Sequence, residues 1–147
     1  MSRTALLVAG GFDTPPIQAL GRGVFVTKKN VLTVLLVAIG LIYLAASALK
    51  LLSIPSMVTN LAEMNFEGRW RYFIGITELI GVAGLMVYRL RPLALVALWP
   101  YAAGGFALHL AFDHDPSRMA PAIAAFILIP IALAIDLSIR IHKHPTP

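Results

Sequence analysis

Glu78 lies in the run Arg71-Tyr72-Phe73-Ile74-Gly75-Ile76-Thr77-Glu78-Leu79-Ile80-Gly81, a carboxylate carried into an otherwise apolar helical stretch. Burying an isolated carboxylate in hydrocarbon is costly, so such a group is neutral, paired, or turned towards a wet cavity. Two other ionisable groups can meet it: Lys50, which closes an earlier apolar stretch, and His109, about a turn before the end of a later one. A lysine–glutamate pair lets both charges be buried, and an imidazole takes or gives a proton near neutral pH. This set suits a ligand pocket, with Glu78 or His109 as candidate general acid or base and Lys50 tuning the charge. The same residues also suit a structural role, in which Lys50 and Glu78 pin two helices and His109 bonds a carbonyl at a helix end. Tyr43, Trp99 and Tyr101 are candidate walls of the pocket, or packing residues.

The elements that would position these groups are membrane spans. Of 147 residues, 59% are hydrophobic and 13% charged, and the mean hydropathy is +0.81, too apolar for an ordinary soluble domain. The net charge of +5 does not point to nucleic acid, because the basic residues sit at the ends of apolar stretches without base-stacking aromatics. The absence of cysteine excludes thiol–disulfide exchange and cysteine-ligated clusters from this chain.

Val31 to Leu49 is nineteen residues without a charge, enough to cross a hydrocarbon core. Gly40, Tyr43, Ser47 and Lys50 share one face of this first span. Ser53-Ile54-Pro55-Ser56 breaks the helix, and Met57 to Phe66 predicts a short interfacial helix. Span two is expected over Tyr72 to Tyr88, behind Arg69-Trp70-Arg71 at headgroup level, with Gly75, Gly81 and Gly84 allowing close helix approach. The short link Arg89-Leu90-Arg91 predicts an antiparallel span three, Pro92 to Phe112, in which Pro100 should kink the helix and Tyr101, Gly105 and His109 share a side. Span four is expected over Met119 to Ile139, with Asp136 and Arg140 forming a local i,i+4 pair near the interface.

The predicted fold is therefore all-α: a four-transmembrane-helix bundle with antiparallel neighbouring spans and a short interfacial helix between spans one and two. Residues 1–30 are expected as a cytoplasmic tail, 31–141 as the membrane domain and 142–147 as a second cytoplasmic tail. The apolar run Ala5 to Ala9 is shorter than a signal-peptide core, so no secretory processing is expected. Eight basic residues fall on the side of the termini and four on the other, placing both termini in the cytoplasm of a multi-pass cell-membrane protein. This alternation brings Lys50, Glu78 and His109 to the same outer leaflet, with Tyr43, Trp99 and Tyr101 deeper. His109, Asp113 and His114 form no ligand triad of familiar spacing, so no metal is expected.

The chain resembles the DoxX-like family of small four-helix membrane proteins. The resemblance rests on Ala48-Leu49-Lys50-Leu51 closing span one, Phe73 to Gly81 with its glycine-x-x-glutamate-leucine pattern, and Gly104-Gly105 followed by His109. It covers roughly Val31 to Ile139. It implies a four-helix bundle with Lys50, Glu78 and His109 as family-type polar residues. For some relatives it implies association with quinone-linked sulfur oxidation or membrane oxidoreductase complexes, which makes a quinone a candidate cofactor; none is evident in the residues themselves. The related nicotinic-receptor chaperone implies that the fold also serves as an assembly factor.

The leading expectation is a non-catalytic subunit or ligand-binding partner of a membrane oxidoreductase or assembly system, with an outward-facing Lys/Glu/His pocket. Its partners would be the lipid bilayer, membrane or soluble oxidoreductase subunits and a small lipophilic ligand. The competing expectation is a membrane enzyme that isomerises, cyclises or hydrolyses a lipophilic substrate by acid–base chemistry. A third is a structural membrane protein whose charges only specify helix pairing.

Overall fold

Proline at the first turn of a helix loses no hydrogen bond, so Pro55, Pro92 and Pro116 mark natural helix starts. The computed structural model follows this punctuation. It describes residues 17–142 apart from Glu67 and Asp113, with side chains described from residue 27 onward. Among the described residues the elements are all helical: α1 (Ile17–Leu51), α2 (Pro55–Glu63), α3 (Arg69–Met86), α4 (Arg91–Ala111) and α5 (Pro116–Ile141).

Three helical segments, Thr27–Leu51 in α1, all of α4 and all of α5, are long and apolar enough to cross a membrane by length and composition. Helix α3 is not among them. Its eighteen residues include Arg69, Arg71 and Glu78, three charges in one short helix. Helix α1 also starts earlier than the expected tail boundary. No proline interrupts the chain between Pro16 and Pro55, and residues 17–30 are helical and continuous with the segment that follows. Residues 1–16 and 143–147, the remainder of the two expected tails, lie outside the described residues.

Helix α1 packs on α3 and α5, and α4 packs on the same two helices. The core follows helical periodicity. Leu32, Leu36, Ile39 and Tyr43 of α1 meet Leu95 and Leu98 of α4 and Ile129 and Ile139 of α5, all buried. Ala94, Ala102, Ala125 and Ala132 belong to the same buried core, small residues of the kind that let helices pack closely. The buried stripe on α1 then changes character: Ser47 and Lys50 continue the spacing of Leu36, Ile39 and Tyr43, and they too are buried.

Glycine sets how near α3 comes to its neighbours. A Cβ on Gly75 would lie 3.1 Å from Leu51 Cγ of α1, and one on Gly84 would lie 2.9 Å from Ala94 Cβ of α4. Outward, α3 shows Phe73, Ile76 and Ile80, so the face it exposes is apolar despite its three charges. Gly68 precedes α3 at φ +61° and ψ −128°, a conformation that glycine adopts without a Cβ clash.

Helix α2 crosses from the end of α1 towards the start of α5. Its inward residue Leu61 and the following Met64 are buried. Arg118 of α5 donates to Asn60 Oδ1 at 3.1 Å, and His114 Nε2 lies 3.1 Å from Glu63 Oε2, so α2 is tied to the α4–α5 connection.

Candidate functional site: a polar-headed cavity between the helices

At the α2 end of the bundle the helices line a half-open cavity of about 880 Å³. Its walls are mainly apolar, with Leu41 and Ile42 of α1, Met57 of α2, Phe73 of α3 and Leu108 of α4 among them. The ionisable groups on its wall are Lys50, Glu78, His109 and Arg118, together with the phenols of Tyr43 and Tyr101.

Lys50 and Glu78 meet because Gly75, one turn before the glutamate, lets α3 close on the end of α1. Lys50 Nζ donates to Glu78 Oε1 at 2.9 Å and to Oε2 at 2.8 Å. Both residues are buried, at 7% and 4% exposure. An ammonium has three protons, so one proton of Lys50 is left without a partner among the described residues. The single hydroxyl proton of Ser47 is shared between Tyr43 O at 2.7 Å and Glu78 Oε2 at 3.1 Å.

The two tyrosines are fixed through their hydroxyls. Tyr43 donates to Leu98 O at 2.7 Å, joining α1 to α4. Tyr101 donates to Thr77 Oγ1 at 2.9 Å, and Thr77 passes its own proton to the α3 carbonyls of Phe73 and Ile74. Both rings stay on the cavity wall. Pro100, inside α4, also lines the cavity, while α4 itself runs unbroken past it.

Trp99 is placed differently from the other candidates. It is off the cavity wall: its ring stacks on Phe126 at 5.4 Å and its Nε1 donates to Phe126 O at 3.3 Å. One position separates it from Pro100, enough on a helix to turn it to another face. Of the six candidate site residues, the structure brings Tyr43, Lys50, Glu78, Tyr101 and His109 to one cavity and leaves Trp99 outside.

His109 has a partner that the sequence reading did not give it. Its Nδ1 lies 2.8 Å from Nδ1 of His114, in the connection after α4, and His114 reaches Glu63 of α2. Among the described residues, no group of three or more His, Cys, Asp or Glu is placed to hold a metal.

A model of the DoxX-like family matches residues 31–132. The chain belongs to the DoxX-like family. Neither a curated protein nor a solved structure matches it. Family membership and the three membrane-length helices support a membrane location. The segment matched to the DoxX-like family contains every cavity residue named above.

A second polar cluster gathers around Asp136, beyond that segment, and draws in Tyr88 and Arg91 from within it. Asp136 is 1% exposed and accepts from Arg140 Nε at 2.6 Å and from Arg91 Nη1 at 3.3 Å. Arg140 also donates to Tyr88 O and lies over the Tyr88 ring. The i,i+4 pair is present, but buried and shared with α4.

Proposed function

We propose that this DoxX-like protein spans the membrane four times and binds, in the cavity, a lipophilic small molecule with an oxygen-bearing head. The observation that carries the reading is the unpartnered third proton of Lys50, held by its pair with Glu78 on the wall of a largely apolar cavity of about 880 Å³. That volume lies within the range of small-molecule sites, about 300–1,000 Å³, in which a few placed polar groups fix the ligand's orientation. The carbonyl or hydroxyl oxygen of the ligand accepts from Lys50, and its hydrocarbon part lies along Leu41, Ile42 and Phe73.

Treating α3 as the second span rests on where its charges go. Glu78 is buried against Lys50, Arg69 and Arg71 fall in its first turn, and the outward residues are apolar. Antiparallel neighbours are supported by Lys28 near the start of the α1 span bonding Ser138 near the end of α5, and by Arg91 at the start of α4 bonding Asp136. The excess of basic residues then puts both termini in the cytoplasm and the cavity towards the outer leaflet. The family resemblance is what suggests a role as ligand-holding partner in a membrane oxidoreductase or assembly system.

Native mass spectrometry of gently solubilised wild type beside Glu78→Gln tests the reading. A small-molecule adduct on the wild type that is lost from the variant supports the pocket, and a retained protein chain supports the subunit role. Wild type without any adduct contradicts ligand binding, and turnover by the purified chain alone favours the acid–base enzyme.

A further inference from the structure

Three side chains that the oxygen contact does not use run in a line from the cavity to solvent. His109 of α4 is on the cavity wall, His114 follows α4, and Glu63 ends α2. The two imidazoles share a contact of 2.8 Å between their Nδ1 atoms, and His114 Nε2 lies 3.1 Å from Glu63 Oε2. The side chain of His114 is 9% exposed and that of Glu63 is 46% exposed, so the line begins inside and ends in water.

The chemistry of these groups fixes the direction of each bond. A carboxylate only accepts, so His114 carries its proton on Nε2 and, as a neutral ring, presents a bare Nδ1. His109 must then donate from its own Nδ1. Its Nε2 is left as a lone pair, with no partner among the described residues. This is the arrangement of a base facing a cavity with its exit already connected.

We infer that His109, His114 and Glu63 form a proton path between the cavity and solvent, and that the ligand head is an acidic hydroxyl of the phenol or enol class. The inference rests on the ligand-binding reading above and names the class of molecule bound. The head gives its proton to His109 Nε2, and the Nδ1 proton of His109 moves to His114 Nδ1. The Nε2 proton of His114 moves to Glu63 Oε2 and from there to water. The bound oxyanion stays beside the Lys50 ammonium, and no electrons change hands. The return of the proton uses the same bonds in reverse. The other charges facing the line are Arg118 of α5, whose Nη1 is 4.0 Å from Glu63 Oε2, and the Lys50–Glu78 pair on the cavity wall.

The test uses the full chain in lipid nanodiscs and a heptyl-substituted 4-nitrophenol, whose phenolate absorbs visible light. After a rapid rise in pH, ionisation of the bound probe is followed in wild type, His114→Gln and Glu63→Gln. The expected result is equal probe affinity with ionisation slowed about a hundredfold in both variants, the scale of losing a positioned proton acceptor. Equal ionisation rates at equal affinity overturn the path but leave the pocket standing; a wild type that does not bind the probe overturns both. Nitrogen-15 NMR of the histidine rings gives a check that needs no variant. A nitrogen–nitrogen coupling between His109 and His114, with His109 Nε2 unprotonated, is expected, and rings without a shared proton overturn the path.

Discussion

Lys50 Nζ lies 2.9 and 2.8 Å from the two carboxylate oxygens of Glu78, across twenty-eight residues of chain and two different helices. The pair answers how a carboxylate is kept inside an apolar bundle: its charge is matched, and Ser47 shares a proton with it. It also leaves one proton of Lys50, a residue of the cavity wall, without a partner among the described residues. Stability and ligand binding therefore depend on the same two residues in different ways.

Removing one partner strands the other. Lys50→Met is expected to cost about 3–5 kcal/mol of stability, while Lys50→Met with Glu78→Leu recovers most of it, because an apolar pair replaces the ions. Thermal unfolding in detergent measures this. A double variant no more stable than the single one would mean that the loss does not come from a stranded Glu78 carboxylate.

The α3–α4 contact depends on the missing side chain of Gly81. A Cβ there would lie 2.5 Å from Leu98 Cδ2 and 2.8 Å from its Cγ. Gly81→Val is expected to cost about 1–3 kcal/mol by overpacking, and adding Leu98→Ala should relieve part of it. A double-mutant cycle checks the coupling; strictly additive effects would count against the close approach.

Topology is readily tested in a chain that has no cysteine of its own. Thr59→Cys on α2 is expected to react with a membrane-impermeant maleimide from outside, and Arg89→Cys between α3 and α4 only from the cytoplasm. Labelling of both from the same face would mean that α3 does not cross, and the bundle would then have three spans.

The helices and the Lys50–Glu78 pair were legible in the sequence for one reason: charges inside long apolar stretches need partners, and helical spacing says which face they share. Gly40, Tyr43, Ser47 and Lys50 do lie on one buried face of α1. The link from His109 to Glu63 was not legible, because it crosses a helix end and returns through α2, where periodicity carries no information. The expected pairing of Asp136 with Arg140 is present, but its second partner was not legible for a related reason. Its i,i+4 neighbour Arg140 gave it a sufficient local partner, yet the structure adds Arg91 from forty-five residues away. Arg91 opening one span and Asp136 near the end of the next was the available signal. Trp99 grouped with Tyr101 by sequence proximity, but two residues apart on a helix face different directions.

The most direct measurement of the cavity uses the two tryptophans, since Trp70 lines it and Trp99 does not. Trp99→Phe leaves Trp70 as the reporter, and Trp70→Phe leaves Trp99; each is titrated in nanodiscs with a brominated alkylphenol. Saturable quenching of Trp70 that is lost in Lys50→Met with Glu78→Leu, beside a weak unsaturable response of Trp99, is the predicted result. Equal, unsaturable quenching of both tryptophans, unchanged by removing the charged pair, would show only partition into lipid and would contradict a ligand site in the bundle.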